Sequence, residues 1–185
     1  MKKSVPFLLL TAMLPLGASA LDLAPRPNTF DYDYLDAGFV DYDAGGSGIY
    51  LRGVIDVYPN INLLGGFAAA DDYIEFRIGA GYHQAVPSLK NTDMVFSGGI
   101  ERGEFDVGGG TLDDSDTGAF LSAGLRASAT PALELYADAN YHSFYSGDLT
   151  VDLGLRLQLN DKLDFTVGGV FGDNDALEIG ARYYY

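Results

Sequence analysis

Two histidines, His83 and His142, and a set of carboxylates and guanidiniums at alternate positions are the residues with the means to do chemistry. A histidine works as a general base only within hydrogen-bond reach of the group it deprotonates. Ser143 follows His142 directly, and neighbouring residues of an extended chain point to opposite faces, so the two do not form a nucleophile–base pair. The turn pattern puts His83 and His142 near opposite ends of their segments, and both read as inward polar residues, with no catalytic residue assigned. Asp71-Asp72, Asp113-Asp114-Ser115-Asp116 and Asp173-Asn174-Asp175 offer the oxygen ligands that Ca²⁺ and Mg²⁺ prefer. None has the spacing of a calcium-binding hand, and Asp and Asn favour turns for their own reasons, so these read as solvated turns and no metal site is expected. Gly108-Gly109-Gly110 is followed by no Lys-Ser or Lys-Thr and no helical pattern, which excludes a phosphate-cradling loop. The chain has no cysteine, which removes thiolate metal sites, cysteine nucleophiles, disulfides and a lipidated anchor. No cofactor is expected.

The remaining charges form one constellation. Arg52, Asp56, Glu75, Arg77, Glu101, Arg126, Glu134, Asp138, Asp152, Arg156, Asp164, Glu178 and Arg182 all stand mid-segment, and all on the polar side of an alternating pattern. With Asp36 added, acids outnumber arginines on that side, leaving room for protonated carboxyls, water or bound cations. Charges held away from bulk water must be paired, and arginine with carboxylate meets that need.

The elements that carry them are strands. Leu149, Val151, Leu153, Leu155, Leu157 and Leu159 alternate with Thr150, Asp152, Gly154, Arg156 and Gln158. That period of two marks a strand with one apolar and one polar face. Similar runs surround Ile49 to Tyr58, Ile74 to His83, Leu133 to His142, Leu163 to Gly168 and Leu177 to Tyr185. Short connectors with Pro, Asn or Lys, such as Pro59-Asn60 and Asn160-Asp161-Lys162, alternate with acidic, often Gly-rich ones, such as Asp43 to Ser47 and Asp106 to Thr117. The pattern predicts ten antiparallel strands starting near Tyr32, Gly48, Ile61, Tyr73, Asp93, Gly118, Leu133, Leu149, Leu163 and Ala176, with eight as the alternative.

A water-soluble sandwich would also alternate. Two features point instead to an inside-out, closed sheet. The polar face carries many mid-strand charges together with Gly79, Gly81, Gly99, Gly124, Gly154, Gly168 and Gly180, which suit a crowded interior. Each strand also has about the 9–11 residues that a tilted membrane strand needs. Backbone groups cannot go unpaired in hydrocarbon, so such a sheet must close on itself. The fold expected is an all-β, closed, up-and-down antiparallel transmembrane β-barrel over residues 32–185. Tyr58, Tyr82, Phe96, Tyr183 and Tyr185 near the short turns, and Phe39, Phe67, Phe76 and Tyr141 near the other rim, fit aromatic girdles at two interfaces.

Residues 1–20 read as a cleaved secretory signal: Met1-Lys2-Lys3, an apolar run from Val5 to Leu16, and Ala18-Ser19-Ala20 at the cleavage site. Residues 21–31 read as a short extended leader. Cleavage removes Lys2 and Lys3 and no acid, taking the formal charge from −15 to −17. Such an acidic chain is no nucleic-acid binder, because phosphate neutralisation needs Lys and Arg.

The last residues, Ala181-Arg182-Tyr183-Tyr184-Tyr185, end an alternating strand on an aromatic. With the signal, the absent cysteine and the alternation, the chain resembles the small bacterial outer-membrane β-barrel proteins of the OmpA-like and OmpX/Ail-like kind. The resemblance implies residence in the outer membrane of a Gram-negative bacterium, and contact with its lipid and lipopolysaccharide. It also implies assembly by periplasmic chaperones and the barrel-assembly machinery, with Tyr183 and Tyr185 as the signal that machinery reads. The expected role is structural or surface-interactive (envelope integrity, adhesion), by a monomer whose lumen is largely filled with side chains. A narrow pore for ions or small solutes is the alternative. A lipid A-modifying enzyme is third: the His-x-Ser pair of the lipid A deacylases is missing.

Overall fold

The computed structural model describes residues 30–106, 112–144, 147–172 and 175–185. The expected signal, most of the leader, Gly108-Gly109-Gly110 and Asp173-Asn174 lie outside the described residues. The strands are β1 (Tyr34–Tyr42), β2 (Gly46–Tyr58), β3 (Ile61–Ala70), β4 (Tyr73–Ala85), β5 (Thr92–Asp106), β6 (Leu112–Thr130), β7 (Leu133–His142), β8 (Asp148–Asn160), β9 (Leu163–Phe171) and β10 (Ala176–Tyr184). Each pairs antiparallel with its neighbours in sequence, and β1 pairs with β10, closing a ten-stranded barrel. The ladder at the closure runs from Tyr34↔Tyr184 to Tyr42↔Ala176. Ten strands, and not eight, form the wall.

The burial pattern is inverted relative to a soluble domain. Ile78 is 63% exposed and Leu153 46%, while Glu101 is 2% and Arg182 3%. Apolar side chains alternate outward along the strands, and the charged ones away from the strand ends face the lumen, as hydrocarbon around a closed wall requires. Tyr58, Tyr82, Phe96, Tyr183 and Tyr185 are exposed at the lower end, where β1 begins and β10 ends; Phe39, Phe76 and Tyr141 are exposed towards the other, upper end.

Three strands shift register close to a lower turn, between Asp56 and Tyr58, Ser128 and Thr130, and Gln158 and Asn160. Each irregularity stands just before a Pro-Asn, Pro-Ala or Asp-Lys turn, where an extra residue re-aims the strand. Asn60 takes the left-handed φ of 68° that its tight turn needs.

Two sequence expectations change. The first strand begins at Tyr34, and Tyr32 lies before it, turned into the lumen at 2% exposure. The connector expected over Asp106 to Thr117 is largely strand: β5 continues to Asp106, and β6 begins at Leu112 rather than Gly118. Its acidic composition reads as loop, but cross-strand contacts hold the ladder. Within β5, Arg102 donates from Nε to Glu104 at 2.9 Å, and it reaches across to β6 from Nη2 to Ser115, the register partner of Glu104, at 2.9 Å.

Candidate functional site

The lumen is where the sequence placed its charges, and the barrel brings them together in layers. At the lower end, His83 Nε2 lies 2.9 Å from Asp56 Oδ1. The ring of Tyr32 stacks on that of His83 with centroids 3.6 Å apart. Above it, Arg126 donates through Nε and Nη2 to the two oxygens of Glu134, at 2.9 and 2.8 Å, a fork-to-fork geometry. Arg156 pairs with the same carboxylate. Asp164 accepts from the Tyr184 hydroxyl at 2.9 Å.

In the middle, Arg182 donates to Asp36 Oδ2 from Nε at 3.1 Å and from Nη2 at 2.9 Å, and Tyr50 donates to Asp36 Oδ1 at 3.2 Å. Arg52 is paired with Glu178, Nη1 lying 2.8 Å from Oε2. Towards the upper end, Glu75 accepts from Arg77 Nε at 2.8 Å and from the Tyr73 hydroxyl at 2.7 Å. Glu101 Oε2 lies 2.8 Å from His142 Nδ1.

The apparent surplus of acids therefore has specific partners. Asp56 and Glu101 go to the two histidines, and Asp164 to a tyrosine hydroxyl. Asp138 and Asp152 are left facing one another across β7 and β8. Asp152 Oδ1, Arg156 Nε and Arg182 Nη1 are buried without a protein hydrogen bond, on the wall of a cavity polar enough to hold water. Among the described residues, no group of three or more His, Asp or Glu side chains could hold a metal ion.

Aromatic rings fill what the charges leave. Tyr50 lies over Gly180, Tyr136 over Gly154 and Gly168, and Phe120 over Gly79 and Gly99; a Cβ on any of these glycines would collide with the ring. Arg156 stands 4.1 Å from the Tyr136 ring centroid, and Arg182 3.6 Å from that of Tyr34. These are cation–π contacts that hold a guanidinium in a dry setting. The inward tyrosines were visible in the alternation at Tyr50, Tyr136 and Tyr184. Tyr32 was not, because it reaches the lumen from outside the strand pattern. Asp93, which is fully buried, was read only as a strand start.

Among the described residues, three cavities lie along the lumen. The upper one, about 240 Å³, is lined by Tyr42, Tyr73, Phe105, His142 and Phe144. The central one, about 180 Å³, is lined by Arg52, Arg77, Arg126, Arg156 and Arg182 with Asp36, Asp138, Asp152 and Glu178. The lower one, about 440 Å³, is lined by Phe30, Asp31, Gln158 and Tyr184 among others. Arg52, Arg77, Asp152 and Glu178 border both the upper and central spaces, and Arg126 and Arg156 both the central and lower ones. Ion-paired residues thus stand at both boundaries.

No protein-family model matches the chain, and no curated protein matches it. Solved structures do. The chain is similar to a KdgM porin at 15% identity, covering 82% of this chain and 99% of that one with a TM-score of 0.52. A second structure, a KdgM porin in complex with disordered oligogalacturonate, gives the same figures. Ail of Yersinia pestis is matched at 15% identity over 84% of this chain and all of that one, with a TM-score of 0.39. At such identities the likeness is one of fold: a small barrel of the bacterial outer-membrane type.

Proposed function

We propose that this chain is an integral outer-membrane protein whose role is structural or surface-interactive, and whose lumen is closed by its own side chains. The observation that carries the reading is a pair of ion-paired clusters at the boundaries between cavities, which in this reading act as partitions. Arg126–Glu134–Arg156 runs along the adjacent strands β6, β7 and β8 below, Arg52–Glu178 with Arg77–Glu75 lies along β10, β2 and β4 above, and every guanidinium in them is tied to a carboxylate. Interior dimensions agree, since narrow barrels leave side chains room to fill the bore. This reading assigns no catalytic role to His83 and His142, each of which is engaged by a lumenal carboxylate. In this reading the outer face meets lipid and lipopolysaccharide, and assembly proceeds through periplasmic chaperones and the barrel-assembly machinery. Recording across a planar bilayer tests it. Purified protein inserts without stable unit conductance if the partitions close the bore; a reproducible unit step overturns the reading.

One observation favours a second reading, a narrow pore for ions or small solutes. Five arginines border the central cavity, and the barrel superimposes over nearly the whole of a protein named a porin, one structure of which holds an acidic oligosaccharide. The same recording separates the two, and anion selectivity of any step would speak for the pore.

A further inference from the structure

At the lower end of the lumen, a piece of chain that belongs to no strand enters the bore. Residues 30–33 precede β1 and turn into the bore instead of running along its rim. Asp33 anchors them: its Oδ1 accepts from the Asp56 backbone at 2.8 Å, and its carbonyl accepts from the Tyr185 backbone at 3.4 Å. Beyond that anchor, Tyr32 is almost wholly buried, one ring face stacked on His83. Its hydroxyl donates to Asp93 Oδ2 at 3.3 Å. The Arg126 guanidinium lies 4.6 Å from its ring centroid and 4.7 Å from that of Phe30, and Arg126 Nη1 donates to the Asp31 carbonyl at 3.4 Å. Tyr32 borders the central cavity and Phe30 and Asp31 the lower one, so the segment stands between them.

We propose that Phe30 to Asp33 is an intramolecular stopper, seated by Tyr32 in a socket made of His83, Asp93 and Arg126, and that its withdrawal opens the central cavity to the lower mouth. The proposal rests on the closed-lumen reading and assigns the lower closure to a removable part. The wall does not depend on it. The β1–β10 ladder is complete from Tyr34 onward, and Arg126 keeps Glu134 when the stopper leaves. The socket suits reversible seating: a stacked ring and a cation–π contact are individually weak, enough together to hold the segment and small enough to be displaced.

The natural sequence has no cysteine, so a single thiol reports on access. Asn62→Cys puts one on the wall of the central cavity, at a position 3% exposed. Full-length protein in detergent is treated with aminoethyl methanethiosulfonate, and folding is checked by heat-modifiable migration. With Tyr32 in place the thiol reacts slowly. Tyr32→Ala accelerates it roughly tenfold or more, as expected when both ring contacts are lost, while Tyr32→Phe, which keeps the ring, leaves the rate near the starting value. Equal slow rates for Tyr32 and Tyr32→Ala overturn the stopper and leave the closed lumen standing. A fast rate with Tyr32 in place overturns the closed lumen and the stopper together. Should Tyr32→Ala not fold, Asp33→Ala, which frees the anchor and keeps the ring, decides by the same rates.

Discussion

Asp36 and Arg182 are register partners in the first and last strands, and their side chains join inside the lumen at 2.9 Å. The pair staples the barrel at its closure, with Tyr50 holding the other carboxylate oxygen. Both residues are almost wholly buried. Removing one partner of such a pair strands the other charge. Asp36→Asn is expected to destabilise the folded barrel by about 3–5 kcal/mol, whereas Asp36→Leu with Arg182→Met recovers most of the loss. Urea unfolding in detergent micelles, followed by the shift between folded and unfolded bands, checks both.

Asp138 and Asp152 present the opposite case. They stand directly across from one another on the lumenal face of β7 and β8, and like charges so placed oppose pairing. Asp152→Asn is expected to raise stability by about 0.2–1 kcal/mol at neutral pH. In acid, where both carboxyls are protonated, the gain disappears. Unfolding midpoints at the two pH values provide the measurement.

The hydroxyl of Tyr136 occupies space that a Cβ at Gly168 would need. Gly168→Ala is expected to cost about 1–3 kcal/mol through overpacking. Adding Tyr136→Ala removes the collision, so the cost of the alanine at 168 falls in that background. A double-mutant cycle by chemical unfolding gives the coupling. An additive result would mean that the ring moves aside freely.

On the outer face, Leu153 points to lipid next to lumenal Asp152. Leu153→Arg is expected to cost about 2–4 kcal/mol if that position lies at the bilayer midplane. The same change in a soluble, polar-coated barrel would be nearly silent. Unfolding from lipid vesicles is the appropriate assay.

Much of this was legible in the sequence because a strand's period of two separates lipid-facing from lumenal positions with no knowledge of neighbours. Leu149 to Leu159 fixes a strand and both its faces alone, and every charge assigned to the interior there is found lining it or paired within it. Partners were not legible. Arg52 chooses Glu178 from 126 positions away, and which strands confront each other across the bore depends on tilt and stagger that no local pattern encodes. The upper extension of β5 and β6 was missed for a related reason: Asp114 and Ser115 favour turns in isolation, and the ladder with Phe105 and Glu104 overrides that preference. Tyr32 was not legible either, since it precedes β1 and only the assembled barrel supplies the socket that draws it inward.

The seam between β1 and β10 also has a kinetic meaning. No shorter length of this chain can make a finished wall, because the strand that protects the first edge is the last to be synthesised. Any product cut before Ala176 would carry two raw edges into hydrocarbon, where unmet amides are severely penalised. A closed wall is thereby reached only when all ten strands are present.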